Sequence, residues 1–136
     1  VRNYQRDSWG RNDSDNCILE LFPLPSPSTA DWIYGKTSSL PTLKNRDTYR
    51  EAYLPNRVDH FQRRVEKYHP KVVFIFGISY MPYWEKLVGT KFLEENNLLQ
   101  VVVEKTKFVV LQHPVAHGIK NEYFYNAGQV ISKTLA

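Results

Sequence analysis

With 136 residues, 42% of them hydrophobic and 14% aromatic, the chain has the material for one domain with a packed core. Its net charge of +4 admits a polyanion as partner, although charge makes a binding surface only where it gathers on one face. No apolar run approaches the roughly 20 residues that cross a bilayer, no signal-peptide layout opens the chain, and the lone Cys17 can form neither an internal disulfide nor a thiolate metal site; a soluble, cytoplasmic protein is expected.

Residues 1–16 are polar, begin at Val1 rather than Met, and read as a loop at a fragment boundary. Cys17 to Phe22 is a short apolar run closed by Pro23, which predicts a buried strand with Cys17 as a small hydrophobe at its start. Pro23, Pro25 and Pro27 then alternate with Leu24, Ser26 and Ser28, a pattern that excludes helix and sheet interior and predicts a stiff, extended loop. Thr29 to Leu43 reads as a surface wrap whose aromatics, Trp32 and Tyr34, are partly pinned down.

Asp47 is a candidate helix cap, and Leu54, Val58, Phe61, Val65 and Tyr68 repeat at helical spacing beyond it. Pro55 falls inside that pattern, so the ordered helix is expected to start there, with proline in its first turn. Arg57, Arg63, Arg64 and Lys67 occupy the other face and read as solvated surface. His69-Pro70 ends the helix, and Lys71 to Gly77 forms the clearest strand, apolar on both faces as a central parallel strand must be when helices cover both sides. A short helix around Tyr83 to Val88 follows. Leu98 to Val103 and Phe108 to Leu111 predict two more strands, paired antiparallel, and Ile119 to Leu135 a final helix with Tyr123, Ala127, Val130 and Ile131 on its apolar side.

This alternation predicts one α/β domain over 1–136, a three-layer α/β/α sandwich around a central, mostly parallel sheet. Right-handed crossovers would bring three polar loops to one sheet edge: Pro23 to Ser28, Gly77 to Tyr80 and His113 to Gly118. Ligands of open α/β sheets bind at that edge.

The chemistry of those loops is narrow. No Gly-rich phosphate loop or nucleophile elbow is present, and His113 and His117 are separated by Pro114 and lack a neighbouring carboxylate, so neither a metal nor a cofactor is expected. Ser79 follows the central strand and precedes a helix, where its hydroxyl and nearby amides suit a phosphate or, equally, an ordinary helix cap. His113 and His117 are either pocket residues or plain surface-turn residues.

Taken together, the Pro/Ser-rich loop after a strand, the helix ending in His69-Pro70-Lys71, the strand Val72 to Gly77 with Ser79-Tyr80 behind it, and the strand ending in His113-Pro114 resemble the uracil-DNA glycosylase superfamily, from about Cys17 to the C-terminus. The resemblance implies a DNA repair hydrolase that flips a base out of DNA and cleaves its N-glycosidic bond. It makes His113 the catalytic group that stabilises the departing base. It also implies DNA or base contacts from Pro25, Ser26, Pro27 and Ser28, from Gly77, Ser79 and Tyr80, and from Pro114, Val115, Ala116 and His117 in the loop that enters the duplex.

The chain departs from the family pattern in three places. Nothing before Cys17 matches the motif that supplies the water-positioning Asp or Asn, no Asn closes the strand near Glu20-Leu21-Phe22, and Val115 stands where a serine is common. A module that keeps the fold and binds nucleic acid or a nucleotide without chemistry is therefore the alternative, and an unrelated α/β domain for a metabolite or protein partner a third.

Overall fold

The computed structural model describes residues 2–28 and 30–135; Val1, Thr29 and Ala136, among them the first residue of the expected surface wrap, lie outside them. The described residues form two compact units, one ending at Arg57 and the other beginning at Val58.

The first unit opens with a helix, α1 (Arg2–Asp7), where a loop was expected. The expected strand at Cys17 to Phe22 does not form, and Cys17 is exposed rather than buried. Backbone acceptors of that segment are satisfied by a side chain instead of a ladder: Arg57 donates from Nε to the Leu21 carbonyl at 3.1 Å and from Nη2 to the Glu20 carbonyl. After a one-turn helix, α2 (Tyr34–Thr37), comes the long helix α3 (Arg46–Tyr68), whose residues up to Arg57 belong to this unit.

α3 starts well before Pro55, contrary to the sequence reading, and its cap is Asn45 rather than Asp47. Asn45 Oδ1 accepts the Thr48 amide at 2.9 Å while Thr48 Oγ1 accepts the Asn45 amide at 3.2 Å, a reciprocal capping box. Proline inside a helix costs about 3 kcal/mol. Burial of Tyr49 and Leu54 in the turns just before Pro55 offsets it. Tyr49 is the centre of an aromatic cluster, with Phe22, Trp32 and Tyr53 at ring-centroid distances of 5.8, 5.2 and 5.1 Å. Trp32 and Tyr34 are indeed half-buried.

The second unit is mixed α/β: a four-stranded sheet in the order β1-β4-β3-β2. Its strands are β1 (Val72–Phe76), β2 (Leu93–Glu95), β3 (Leu98–Val103) and β4 (Thr106–Leu111); α4 (Met81–Val88) follows β1, and α5 (Asn121–Leu135) follows β4. Only β1 and β4 are parallel; the β2–β3 and β3–β4 pairs are antiparallel. The sheet is thus mostly antiparallel, which corrects the expected mostly parallel one, because two short hairpins supply two of its three strand pairs. One of these, Asn96-Asn97 with φ of 53° and 60°, is a two-residue turn that turns β2 directly into β3.

β1 is an edge strand rather than a central one, and Phe74 and Phe76 are exposed. α5 covers one face of the sheet: Leu98, Val109 and Leu111 bury against Ala127 and Ile131, with Tyr123, Phe124 and Val130 packed around them. The expected apolar side of the last helix is the side that makes this core. No described helix is long and apolar enough to cross a membrane.

Candidate functional site

Parallel pairing decides what meets at the end of the sheet. β1 and β4 run in register from Val72 opposite Lys107 to Phe76 opposite Leu111, so the chain leaves both strands at the same edge. The ladder continues one residue further, where the Gly77 amide donates to the Leu111 carbonyl at 2.8 Å. Two of the three expected loops, Gly77 to Tyr80 and His113 to Gly118, therefore start side by side.

Gly77 makes the first loop. Its φ of 111° is open to glycine and strained for any other residue, and it is buried. The Gly77 carbonyl accepts the Trp84 indole N–H at 2.8 Å and the Tyr80 amide at 3.2 Å, which ties the turn to α4. Tyr80 packs near Tyr83 and Trp84, with centroids 6.0 and 6.4 Å away, and is half-buried. Ser79 is exposed in a short 3-10 turn, and no side-chain oxygen caps α4, so the helix-cap role considered for Ser79 is not the one it takes.

The second loop is built on His113. The Gln112 amide just before it donates to the Tyr123 hydroxyl of α5 at 3.2 Å. His113 is exposed, and its Nδ1 accepts the Val115 amide at 3.3 Å, while its carbonyl accepts the Ala116 amide at 2.8 Å. An Nδ1 that accepts carries no hydrogen, so the neutral ring has its proton on Nε2, leaving Nε2 as a donor. Pro114, Val115 and His117 are exposed and Ala116 is half-buried; Val115, at 84% exposure, is an apolar tip turned to solvent.

Pro25, Ser26, Pro27 and Ser28 belong to the first unit. Arg46, at the start of α3, holds them: its Nη2 lies 2.9 Å from Ser26 Oγ, 2.8 Å from the Ser28 carbonyl and 2.7 Å from the Asp31 carbonyl. Its guanidinium also stacks over Trp32 at 5.1 Å. The Tyr34 hydroxyl donates to the Pro25 carbonyl at 2.8 Å.

Three residues that organise these loops, Arg46, Trp84 and Tyr123, were legible only as a charge or as aromatics to be packed. Their polar ends find partners outside their own helices, 7 residues away for Trp84, 11 for Tyr123 and up to 20 for Arg46, and no local pattern marks such a bond. Among the described residues, no three His, Cys, Asp or Glu side chains gather as a metal site. No protein-family model, characterised protein or solved structure matches this chain.

Proposed function

We propose that the chain binds DNA at the edge where β1 and β4 end, and that His113 donates from Nε2 to the oxygen of an extruded uracil or related base as its N-glycosidic bond breaks. The observation that carries this reading is the Val115 amide on His113 Nδ1. In that bond cleavage, C1′–N1 breaks with its electron pair leaving on the base, negative charge gathers on the base oxygen, and water adds to C1′ and gives up the proton that finally neutralises the base. A fixed donor at that oxygen contributes on the order of 3 kcal/mol once bound DNA and the extruded base exclude water from the exposed His113. The exposed Ser79 suits a phosphate contact, and the exposed Val115 suits a wedge entering the base stack.

The strand-end placement of both loops also favours a three-layer fold of the uracil-DNA glycosylase kind, and a reducing cytoplasm suits the free Cys17. A second reading, a module that binds nucleic acid without cleaving it, is favoured by the composition of the loops: Gly77 to Tyr80 and Gln112 to Gly118 hold no Asp, Glu or Asn to steer water.

A uracil-containing single strand incubated with the protein, then treated with alkali and resolved on a gel, tests both. The proposal expects abasic product, reduced about a hundredfold by His113→Ala. Equal product from that variant would remove His113 from the chemistry. Salt-sensitive binding without product selects the second reading, and no binding at low salt ends both.

A further inference from the structure

We infer that Tyr123 is a positioning residue for His113: its hydroxyl fixes the point at which the chain leaves β4, and through that point the orientation of the imidazole. The inference rests on the role of His113 proposed above.

Tyr123 joins two environments. Its ring belongs to the packing around the Leu98, Val109, Leu111, Ala127 and Ile131 core and meets Phe124 edge-on at 5.1 Å. Phe124 in turn lies 6.4 Å from Phe76 at the end of β1. The Tyr123 amide donates to the Lys120 carbonyl at 3.0 Å. Ring and backbone are thus both held, and the hydroxyl is a fixed acceptor rather than a mobile one.

The group it accepts is the Gln112 amide, one residue before His113 and one beyond the last residue of β4. The sheet no longer directs the chain there. On one side the Leu111 carbonyl is tied to Gly77, and on the other the His113 carbonyl and Nδ1 are tied to Ala116 and Val115. Gln112 is the link between them, and Tyr123 is its anchor. Without the hydroxyl, a half-buried Gln112 N–H loses its partner and must turn toward water. That rotation swings His113 and loosens the Val115 bond that leaves the ring proton on Nε2.

Tyr123→Phe removes the hydroxyl and keeps the ring. Amide hydrogen exchange and the 15N shifts of the His113 ring are read on the 136-residue chain. Exchange at Gln112 and Val115 is expected to rise about tenfold, the factor that goes with one lost hydrogen bond. Val110 and Ile131 are expected to keep their rates, and His113 to lose its uniform Nε2–H signature. A rise shared by all four amides would mark a merely structural residue, and unchanged rates at Gln112 and Val115 would overturn the inference.

Affinity for a uracil-containing oligonucleotide supplies a second arm. Tyr123→Phe is expected to weaken binding several-fold in the parent chain, on the order of the loss of one hydrogen bond, and to add nothing in a His113→Ala background. Additive losses would show that Tyr123 does not act through His113. If His113→Ala alone changes neither binding nor product, the functional reading fails, while the exchange result still decides whether Tyr123 sets the loop.

Discussion

Arg46 does at one residue what the Pro/Ser pattern of its loop cannot do alone. Prolines restrict the backbone of Pro23 to Ser28, but the later part of that stretch is fixed by a guanidinium that reaches Ser26, Ser28 and Asp31 and stacks on Trp32. A lysine at this position keeps the charge and loses the planar fork and the stacking. Arg46→Lys is accordingly expected to cost about 1–2 kcal/mol and to raise proteolytic cleavage within residues 26–31, measured by limited digestion and thermal unfolding. Unchanged cleavage would mean that the prolines suffice. The stiffness of the loop was legible because proline acts on its own backbone; its anchor was not, since Arg46 lies in another element and its partners are two main-chain carbonyls and a hydroxyl.

At the scale of elements, local rules succeeded where they acted alone. His69-Pro70 ends α3, with His69 at a φ of 44° in the left-handed region, and the apolar periodicity of α5 is the face that packs on the sheet. They failed where a distant partner decided the outcome, as at Cys17 to Phe22, whose Glu20 and Leu21 carbonyls are taken by Arg57. The site divides the same way: strand-end loops at Gly77 and His113, and the parallel pairing that sets them side by side, were readable from the apolar runs before them, while β2 and its antiparallel hairpin with β3 were not. Gly35 shows a tight contact between elements. A Cβ there would lie 2.3 Å from the Lys44 carbonyl oxygen, a backbone atom that cannot swing away. Gly35→Ala is expected to destabilise the first unit by about 1–3 kcal/mol, seen as a lower midpoint in thermal unfolding. A midpoint equal to the parent's would show that α2 shifts freely from that carbonyl.

For the molecule as a whole, the consequential departure from expectation is the place of β1. A strand with the sequence Val72-Val73-Phe74-Ile75-Phe76 is apolar on both faces, which suits the middle of a sheet, yet among the described residues it pairs with β4 alone and leaves its other edge open. Phe74 is 44% exposed and Phe76 37%, on the face that they share with Val109 and Leu111, their partners in β4. No charged residue interrupts the strand, so the protections that keep edge strands from pairing with another copy are missing. Unpaired amides and carbonyls with two aromatic side chains beside them favour edge-to-edge association of two chains, and a net charge of +4 offers only modest repulsion against it. Phe74→Lys places a charge in the middle of that edge, on the more exposed of the two phenylalanines. Sedimentation velocity is expected to show association of the parent chain that grows with concentration and is suppressed in the variant, with the circular dichroism of the two chains alike. Identical sedimentation of parent and variant would show that the β1 edge is not what brings copies together. A variant that loses its secondary structure would show instead that Phe74 supports the sheet it borders, through its place opposite Val109.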